Sequence, residues 1–539
     1  MVHHSITRDD VAASAAAFDA RFAALARADP EIDAAAFFGK AGKQSYRLLA
    51  HLSSLFNART IVHIGSSAAS SLALAYSPDN KVLWFNLYKS ASPVLTESPN
   101  IEMHTVNIFE DPARYQWKAA LLAAPFIFVD VDPYTGVLEY NLYEFLKQSG
   151  YTGFVVYDNV WERENLRNRF WYRVPDECRY DLTDAGKETG TCVVSLDPAT
   201  TFAKPDLKNW TLVTAYYNLT KCPDASSEIK ARDPQYYMSH SLGCLSLPHN
   251  MVVYCDPESY PSIYATRPAW LREKTRYVIG EFDELRFTDS ATGEPRQDTF
   301  AEYRAKIIQN RKEHPYHFDP RNTASYYLFC MARYMMLKAT IQTNPFGSSH
   351  FCWINFCIQR MGYRNLARLD EALAVHRDKF STTYIDYVPK HVVEDAREYF
   401  KFGRCSLCSG FFTGNHHYMY RFCDLMEDRF LYYLARGYGH SDETLMSPAY
   451  FKAPELVEWY MGDYFQMIAN YKYVYDAPDA PIRNFVRNAF GAGDYARAFE
   501  GAKQVWNSFL LEKCALSKED EATLAHYLVE CKKRLKMLE

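Results

Sequence analysis

The sequence predicts an α/β chain in which two parallel-sheet units follow one another and a helical segment ends the protein. Three observations carry this. Short continuous apolar runs at residues 60–64, 81–85, 125–129 and 153–157 leave room for helices between some of them, the pattern of parallel strands buried on both faces. The same grammar restarts at Trp210-Thr-Leu-Val-Thr-Ala-Tyr-Tyr217 and Asn250-Met-Val-Val-Tyr-Cys-Asp256, which end in polar residues with a helix expected between them. The length, 539 residues, exceeds the roughly 250–300 residues at which a single core stops growing.

In chain order, residues 9–30 are alanine-rich with helical spacing and predict an amphipathic helix, and residues 44–56 predict a second. The four apolar runs follow. Residues 172–209 are richer in Pro, Asp, Gly and Thr and lose their periodicity, which predicts a loop-rich closing segment and a linker. In the second half helices are expected over 296–312, 322–343, 418–436 and 453–472, and a strand over 351–358. Paired amphipathic helices are expected from about residue 480. The expected domains are therefore 1–205, 206–478 and a helical extension 479–539.

Hydrophobic residues make up 48% and charged residues 23%, as in globular proteins. The net charge of -5, with a pI near 6.4, supplies no basic field for a phosphate backbone or an anionic membrane, so nucleic acid is not an expected partner. Asp9 and Asp10 stand where a signal peptide needs an apolar run, and no stretch of about 18 apolar residues follows, so no membrane span is expected. Thirteen cysteines lie in apolar runs such as Phe351-Cys352-Trp353, as buried thiols do in a reducing compartment, and a cytoplasmic location is expected. In that setting Asn209-Trp-Thr211 and Asn218-Leu-Thr220 are chance matches to the N-glycosylation pattern. Cys405-Ser-Leu-Cys408 has no second pair at zinc spacing and reads as packed thiols. A homo-oligomer is compatible with all of this.

The first chemical constellation starts at Ile61-Val-His-Ile-Gly65-Ser66-Ser67, a strand that delivers one glycine and small residues into a helix start. Such a turn lets a ligand approach the backbone amides, and it also serves simply as a tight strand-to-helix connection. Two later runs end in polar residues, Phe126-Ile-Phe-Val-Asp130-Val-Asp132 and Gly153-Phe-Val-Val-Tyr-Asp158-Asn159. In a parallel sheet both ends face one rim, so Asp130, Asp158 and Asn159 either meet around a hard cation such as Mg2+ or cap the helices that follow.

This combination resembles class I S-adenosylmethionine-dependent O-methyltransferases, particularly the magnesium-dependent catechol and sugar types, over about residues 40–200. The blocks Tyr46-Arg-Leu-Leu49, Asp130-Val-Asp-Pro-Tyr-Thr-Gly136 and Tyr180-Asp-Leu-Thr-Asp-Ala-Gly-Lys-Glu-Thr-Gly-Thr191 are also similar to methyltransferase-like domains of glycan-modifying proteins. The resemblance implies a Rossmann-like domain in which Asp130, Asp158 and Asn159 hold Mg2+ and Asp130 takes part in catalysis. Gly65, Ser66 and Ser67 then flank S-adenosyl-L-methionine, and Asn86 takes the place of the acidic residue that binds the ribose hydroxyls. An amide there lacks the charge of that residue.

In the second half, Thr214, Tyr216 and Asp256 close strands that either hold a nucleotide or form an ordinary core with polar ends. Glycosyl transfer needs a cation to neutralise the leaving diphosphate and a carboxylate to deprotonate the acceptor. Lys338, near the end of a predicted helix, and Asp442 or Glu443 are the candidates, although adjacent carboxylates also serve as a helix cap. With Phe351-Cys-Trp-Ile-Asn355-Phe-Cys-Ile358 and Tyr460-Met-Gly-Asp-Tyr464, these blocks resemble the HtrL/YibB-like family over about residues 210–475. That resemblance implies a glycosyltransferase A-type fold, a nucleotide-sugar donor, a carbohydrate acceptor and Mn2+. The family's Trp-Ile-Asp-x-Gly strand is Trp353-Ile-Asn355-Phe-Cys357 in this chain, which removes a carboxylate from the expected metal position. His416 and His417, as neighbours, point apart and are not a ligand pair.

The function expected from both halves is a bifunctional glycan-modifying transferase. Two alternatives stay open: one active half, or a glycan-binding scaffold with two degenerate clefts. Asn86 and Asn355 keep the second alternative in play.

Overall fold

Two seven-stranded sheets organise the chain in its computed structural model, one in each of two units, Met1–Pro205 and Asp206–Glu539. The structure describes residues 2–4, 6–28, 40–86, 98–132, 134–187, 189–203, 209–289, 292–315, 319–375, 377–401, 405–439 and 441–536.

The strands of the first unit are β1 (Val2–His4), β2 (Thr60–Gly65), β3 (Lys81–Asn86), β4 (Ile101–Thr105), β5 (Phe126–Asp130), β6 (Phe154–Tyr157), β7 (Arg179–Asp181), β8 (Cys192–Ser195) and β9 (Thr200–Phe202). The main sheet has the order β4-β3-β2-β5-β6-β8-β7, and β1 pairs with β9 apart from it. From β4 to β6 every pairing is parallel, and β8 is antiparallel to both its neighbours. This is the order of a doubly wound sheet, which reverses direction beside its first strand and opens a crevice at the carboxyl ends. One face carries Ile61, Val82, Trp84, Phe126, Phe128, Phe154 and Val156, which share a core with Leu48, Leu49 and Leu52 of the helix Lys40–Ser54.

The second unit contains β10 (Trp210–Tyr216), β11 (Asn250–Cys255), β12 (Thr275–Ile279), β13 (His350–Ile354), β14 (Phe380–Tyr384), β15 (Leu407–Asn415) and β16 (Val457–Met461). Their order is β12-β11-β10-β13-β15-β14-β16, with β15 antiparallel to both neighbours and every other pairing parallel. The helix Ala324–Thr343 is buried nearly all round, as its apolar composition requires. It shares a core with the helices His416–Leu434, Tyr495–Leu510 and Lys518–Arg534 through Met331, Phe422, Val505 and Leu524.

Several elements differ from expectation. The segment read as loop, 172–209, contains β7, β8 and β9, strands of three or four residues that are too short to show a period. Residues 457–461, expected to be helical, form β16, because pairing with the distant β14 overrides an ambiguous apolar spacing. The strand expected over 351–358 stops at Ile354, and a 3-10 turn follows over Ile358–Met361. The N-terminal helix is two helices, Arg8–Ala13 and Ala15–Ala28, and its expected last residues lie outside the described ones.

Candidate functional sites

In the first unit, β2 and β5 meet at the rim with Gly65 opposite Asp130. A Cβ at Gly65 would overlap the Asp130 carbonyl oxygen, so this close approach of two strands requires glycine. The Trp84 indole donates to the Gly65 carbonyl at 2.8 Å and fixes the strand end. Ser67 is the N-cap of the helix Ala68–Leu74, accepting from the Ser70 amide at 3.2 Å, so its hydroxyl serves the helix. Gly65, Ser66 and Asn86 line one cavity with Phe85, Val106, Asn107 and Asp132. Its volume is about 30 Å³, room for about one or two water molecules, and residues 87–97, which continue from Asn86, lie outside the described ones.

Asp130, Asp158 and Asn159 do converge, around the Tyr134 hydroxyl. Tyr134 donates to Asp130 Oδ1 at 2.5 Å and accepts from Asn159 Nδ2 at 2.6 Å, and Thr189 donates to Asn159 Oδ1 at 2.6 Å. Lys187 Nζ lies 3.2 Å from Asp158 Oδ2, while the buried Oδ1 of Asp158 has no hydrogen-bond partner. Burial, and secondarily the Asp130 charge, push the Asp158 carboxyl up to about 6. Asn159 has φ +56°, a left-handed backbone that asparagine tolerates and that turns the chain sharply after β6. Two carboxylates, one of them with an orphaned oxygen, make a donor set that fits a cation, a place taken in part by the Lys187 ammonium. Tyr134, Lys187 and Thr189 were not among the expected site residues, although they fall inside the two motif blocks quoted above.

The second unit has a cleft of about 1050 Å³, open where β10 and β13 end. Tyr216, Asn355, Asp442 and Glu443 line it; Thr214, Asp256 and Lys338 do not. Thr214 is fully buried in the core. Asp256 accepts from the amides of Asn218 and Ser259, both at 2.7 Å, and so holds the turn after Tyr216 from behind. Lys338 was expected as the cation of the cleft. It is instead buried between helices, 2.9 Å from Glu427 and 3.0 Å from Asp424, because an ammonium inside a core requires carboxylate partners.

The helix Asp442–Lys452 begins at the cleft, capped by Ser441. Its two leading carboxylates play different parts. Asp442 is buried against Arg333 at 3.0 Å, and Arg333 also donates to the Ser409 carbonyl at 2.6 Å and lies over the Trp353 ring. Glu443 Oε1 accepts from the Ser409 amide at 3.2 Å, the Ser409 hydroxyl at 3.1 Å and the Tyr464 hydroxyl. No protein donor among the described residues reaches Glu443 Oε2. Burial first, and the Asp442 charge second, raise the Glu443 carboxyl above the usual range. Tyr216 stacks on Phe356 with centroids 5.3 Å apart and also touches Tyr237, which makes an aromatic wall. Asn355 Oδ1 accepts from the Trp353 indole at 3.2 Å. A neutral amide so engaged, beside carboxylates already held by Arg333, Ser409 and Tyr464, is a poor donor set for Mn2+.

Among the described residues no group of three His, Cys, Asp or Glu side chains could hold a metal ion, and no helix is long and apolar enough to cross a membrane. His416 and His417 are exposed at the start of the helix His416–Leu434. Arg232, Arg333, Arg360, Ser409 and Tyr464 were not among the expected site residues, and the pairing of Tyr464 with Glu443 spans elements that no local pattern connects.

The fold and these clefts define a mixed α/β protein with two parallel-rich sheets. Residues 208–472, just under half of the chain, match the family described as bacterial protein of unknown function (HtrL_YibB). No curated protein matches the chain. A similar solved structure is 4-diphosphocytidyl-2C-methyl-D-erythritol synthase from Anaerococcus prevotii DSM 20548, at 11% identity over 49% of this chain and 92% of that one. Its TM-score of 0.21 is too low to define the fold of this chain.

Proposed function

We propose that the second unit is a nucleotide-sugar-dependent glycosyltransferase with Glu443 as general base. The observation that supports this is the asymmetry of one carboxylate: Oε1 is fixed by three protein donors, and Oε2 is left bare in a cleft large enough for a nucleotide sugar. In this reading Oε2 accepts the proton of an acceptor hydroxyl as that oxygen bonds to the anomeric carbon. The bond from that carbon to the diphosphate breaks, and the nucleoside diphosphate leaves with the electron pair. A raised carboxyl suits this task, since a base works best when its pKa approaches the working pH. The Tyr216, Phe356 and Tyr237 wall offers a stacking surface for a base. A panel of nucleotide sugars with carbohydrate acceptors, read by nucleoside diphosphate release, tests the proposal. Release by the native protein that Glu443→Gln loses supports it, and no release from any donor contradicts it.

For the first unit we infer an S-adenosylmethionine-dependent O-methyltransferase, a reading supported by the doubly wound order and by the convergence of Asp130, Asp158 and Asn159. Asp130 and Asp158 would hold Mg2+, joined by the Asn159 amide oxygen to which Thr189 donates, and the cation when bound would orient a substrate hydroxyl and lower its pKa. Lys187 would leave Asp158 where the cation is bound, and Asn86 would accept a hydrogen bond from one ribose hydroxyl. Calorimetric titration with S-adenosyl-L-methionine, with and without Mg2+, tests this, and no heat of binding in either condition contradicts it.

A further inference from the structure

The transferase reading of the second cleft leaves one chemical need unmet. A departing diphosphate requires positive charge, Lys338 lies elsewhere, and Asn355 stands where a metal-binding carboxylate was expected. Four arginines line the cleft: Arg232, Arg321, Arg333 and Arg360. Two of them are committed to protein carboxylates, Arg321 to Asp319 and Arg333 to Asp442. The other two are not ion-paired with any carboxylate among the described residues.

These two lie together. The Arg232 and Arg360 guanidinium carbons lie 5.9 and 5.2 Å from the centroid of one ring, that of Tyr236, and both side chains are half-buried. Both charges act on Cys357, two residues beyond Asn355: burial pushes that thiol up to about 12, and the two guanidiniums oppose the rise. Both guanidinium charges also act on the Tyr237 hydroxyl of the aromatic wall, which burial raises and the two arginines lower. The pair therefore sits beside the segment that follows β13, next to the surface proposed to stack a base. Asp319, already paired with Arg321, feels the Arg232 charge from beyond ion-pair distance, so the mutual repulsion of the two guanidiniums is only partly offset, and an anion between them lowers it further. Guanidinium is the side chain whose planar fork matches phosphate oxygens two at a time.

Resting on the transferase reading of this cleft, we propose that Arg232 and Arg360 clamp the diphosphate of a nucleotide ligand and do the work of a divalent cation there. In the transfer step the clamp receives the negative charge that develops on the leaving diphosphate oxygen. No proton moves at the arginines.

The test is calorimetric titration of the full-length protein with inorganic pyrophosphate and with uridine diphosphate, first in EDTA and then in MnCl2. The expected result is saturable binding of both probes in EDTA, little changed by Mn2+ and weakened by added salt. Arg232→Gln and Arg360→Gln should each weaken binding about tenfold, the double variant should abolish it, and Arg360→Lys should fall between. Uridine diphosphate binding that requires Mn2+ and survives the double exchange would overturn the clamp, as would the absence of binding by the native protein. The two readings fail separately. Arginine-dependent binding without turnover of any nucleotide sugar keeps the clamp and removes the transferase. Turnover that is indifferent to both arginines keeps the transferase and removes the clamp.

Discussion

The two units place polar residues at the carboxyl ends of similarly ordered strands, yet the two clefts are in opposite electrostatic states. In the first, the carboxylates at the rim are met from within: Lys187 faces Asp158, Tyr134 bridges Asp130 and Asn159, and the adjoining cavity is small. In the second, a large cleft keeps a bare carboxylate oxygen and two arginines that are not ion-paired with any carboxylate among the described residues. The doubly wound order decides where a site can lie. The loops that follow the strands decide whether it is already filled by the protein's own groups.

The largest effect expected is at Glu443. Exchange to Gln keeps the size and the Ser409 contacts but removes the base, so nucleoside diphosphate release should fall by roughly 10²- to 10⁴-fold while uridine diphosphate binding, read by calorimetry, persists. The acid limb of that activity should lie above the usual carboxylate range, because the base works only when ionised and its carboxyl is raised. A limb at ordinary carboxylate pH would remove Glu443 from the role.

Next comes the ion pair beneath it. Arg333→Met strands a buried Asp442 and should cost about 3–5 kcal/mol in denaturant unfolding, since an uncompensated buried charge is worse than no pair at all. Lys338→Met sharpens the contrast. It should lower stability by about 1–3 kcal/mol, less than Arg333→Met because Glu427, already raised to about 7 by burial, can neutralise itself. Its uridine diphosphate affinity should match that of the native protein, and a loss of affinity would return Lys338 to the cleft.

In the first unit the sign of the pH effect separates a filled site from a vacant one. The Asp158 carboxyl sits near 6 when folded and near 4 when unfolded, so the folded state binds the extra proton between those values. Its contribution to stability is therefore present below about pH 4 and is lost as the pH rises through 6, by at most about 3 kcal/mol. Asp158→Asn should flatten that slope in thermal melts. Mg2+ should raise the melting temperature above pH 6 and not below pH 5, because the cation requires the ionised carboxylate. The smallest effect is at Ser67, where exchange to Ala removes a helix cap and should cost about 1 kcal/mol without touching a ligand.

Sequence patterning made the strongest strands legible. The runs at 60–64, 81–85, 125–129 and 153–157 lie on β2, β3, β5 and β6 because strands buried on both faces are apolar throughout. The short β7 and β9, and β16 with its ambiguous spacing, were not legible, since their identity comes from pairing with distant partners. For the sites, strand ends pointed to Asp130, Asp158 and Asn159, and a helix start pointed to Glu443. Nothing local distinguishes Arg232 and Arg360, which lie in the cleft, from Lys338, which lies in the core. That distinction is made by packing between helices far apart in sequence.

Sugar transfer in the second cleft is proposed to run through Glu443. Its most direct measurement is nucleoside diphosphate release from a panel of nucleotide sugars by the native protein and by Glu443→Gln, with binding followed in parallel. The expected result is release by the native protein and a variant that binds the donor without turning it over. Equal release by the two proteins, or binding without release by both, would contradict it.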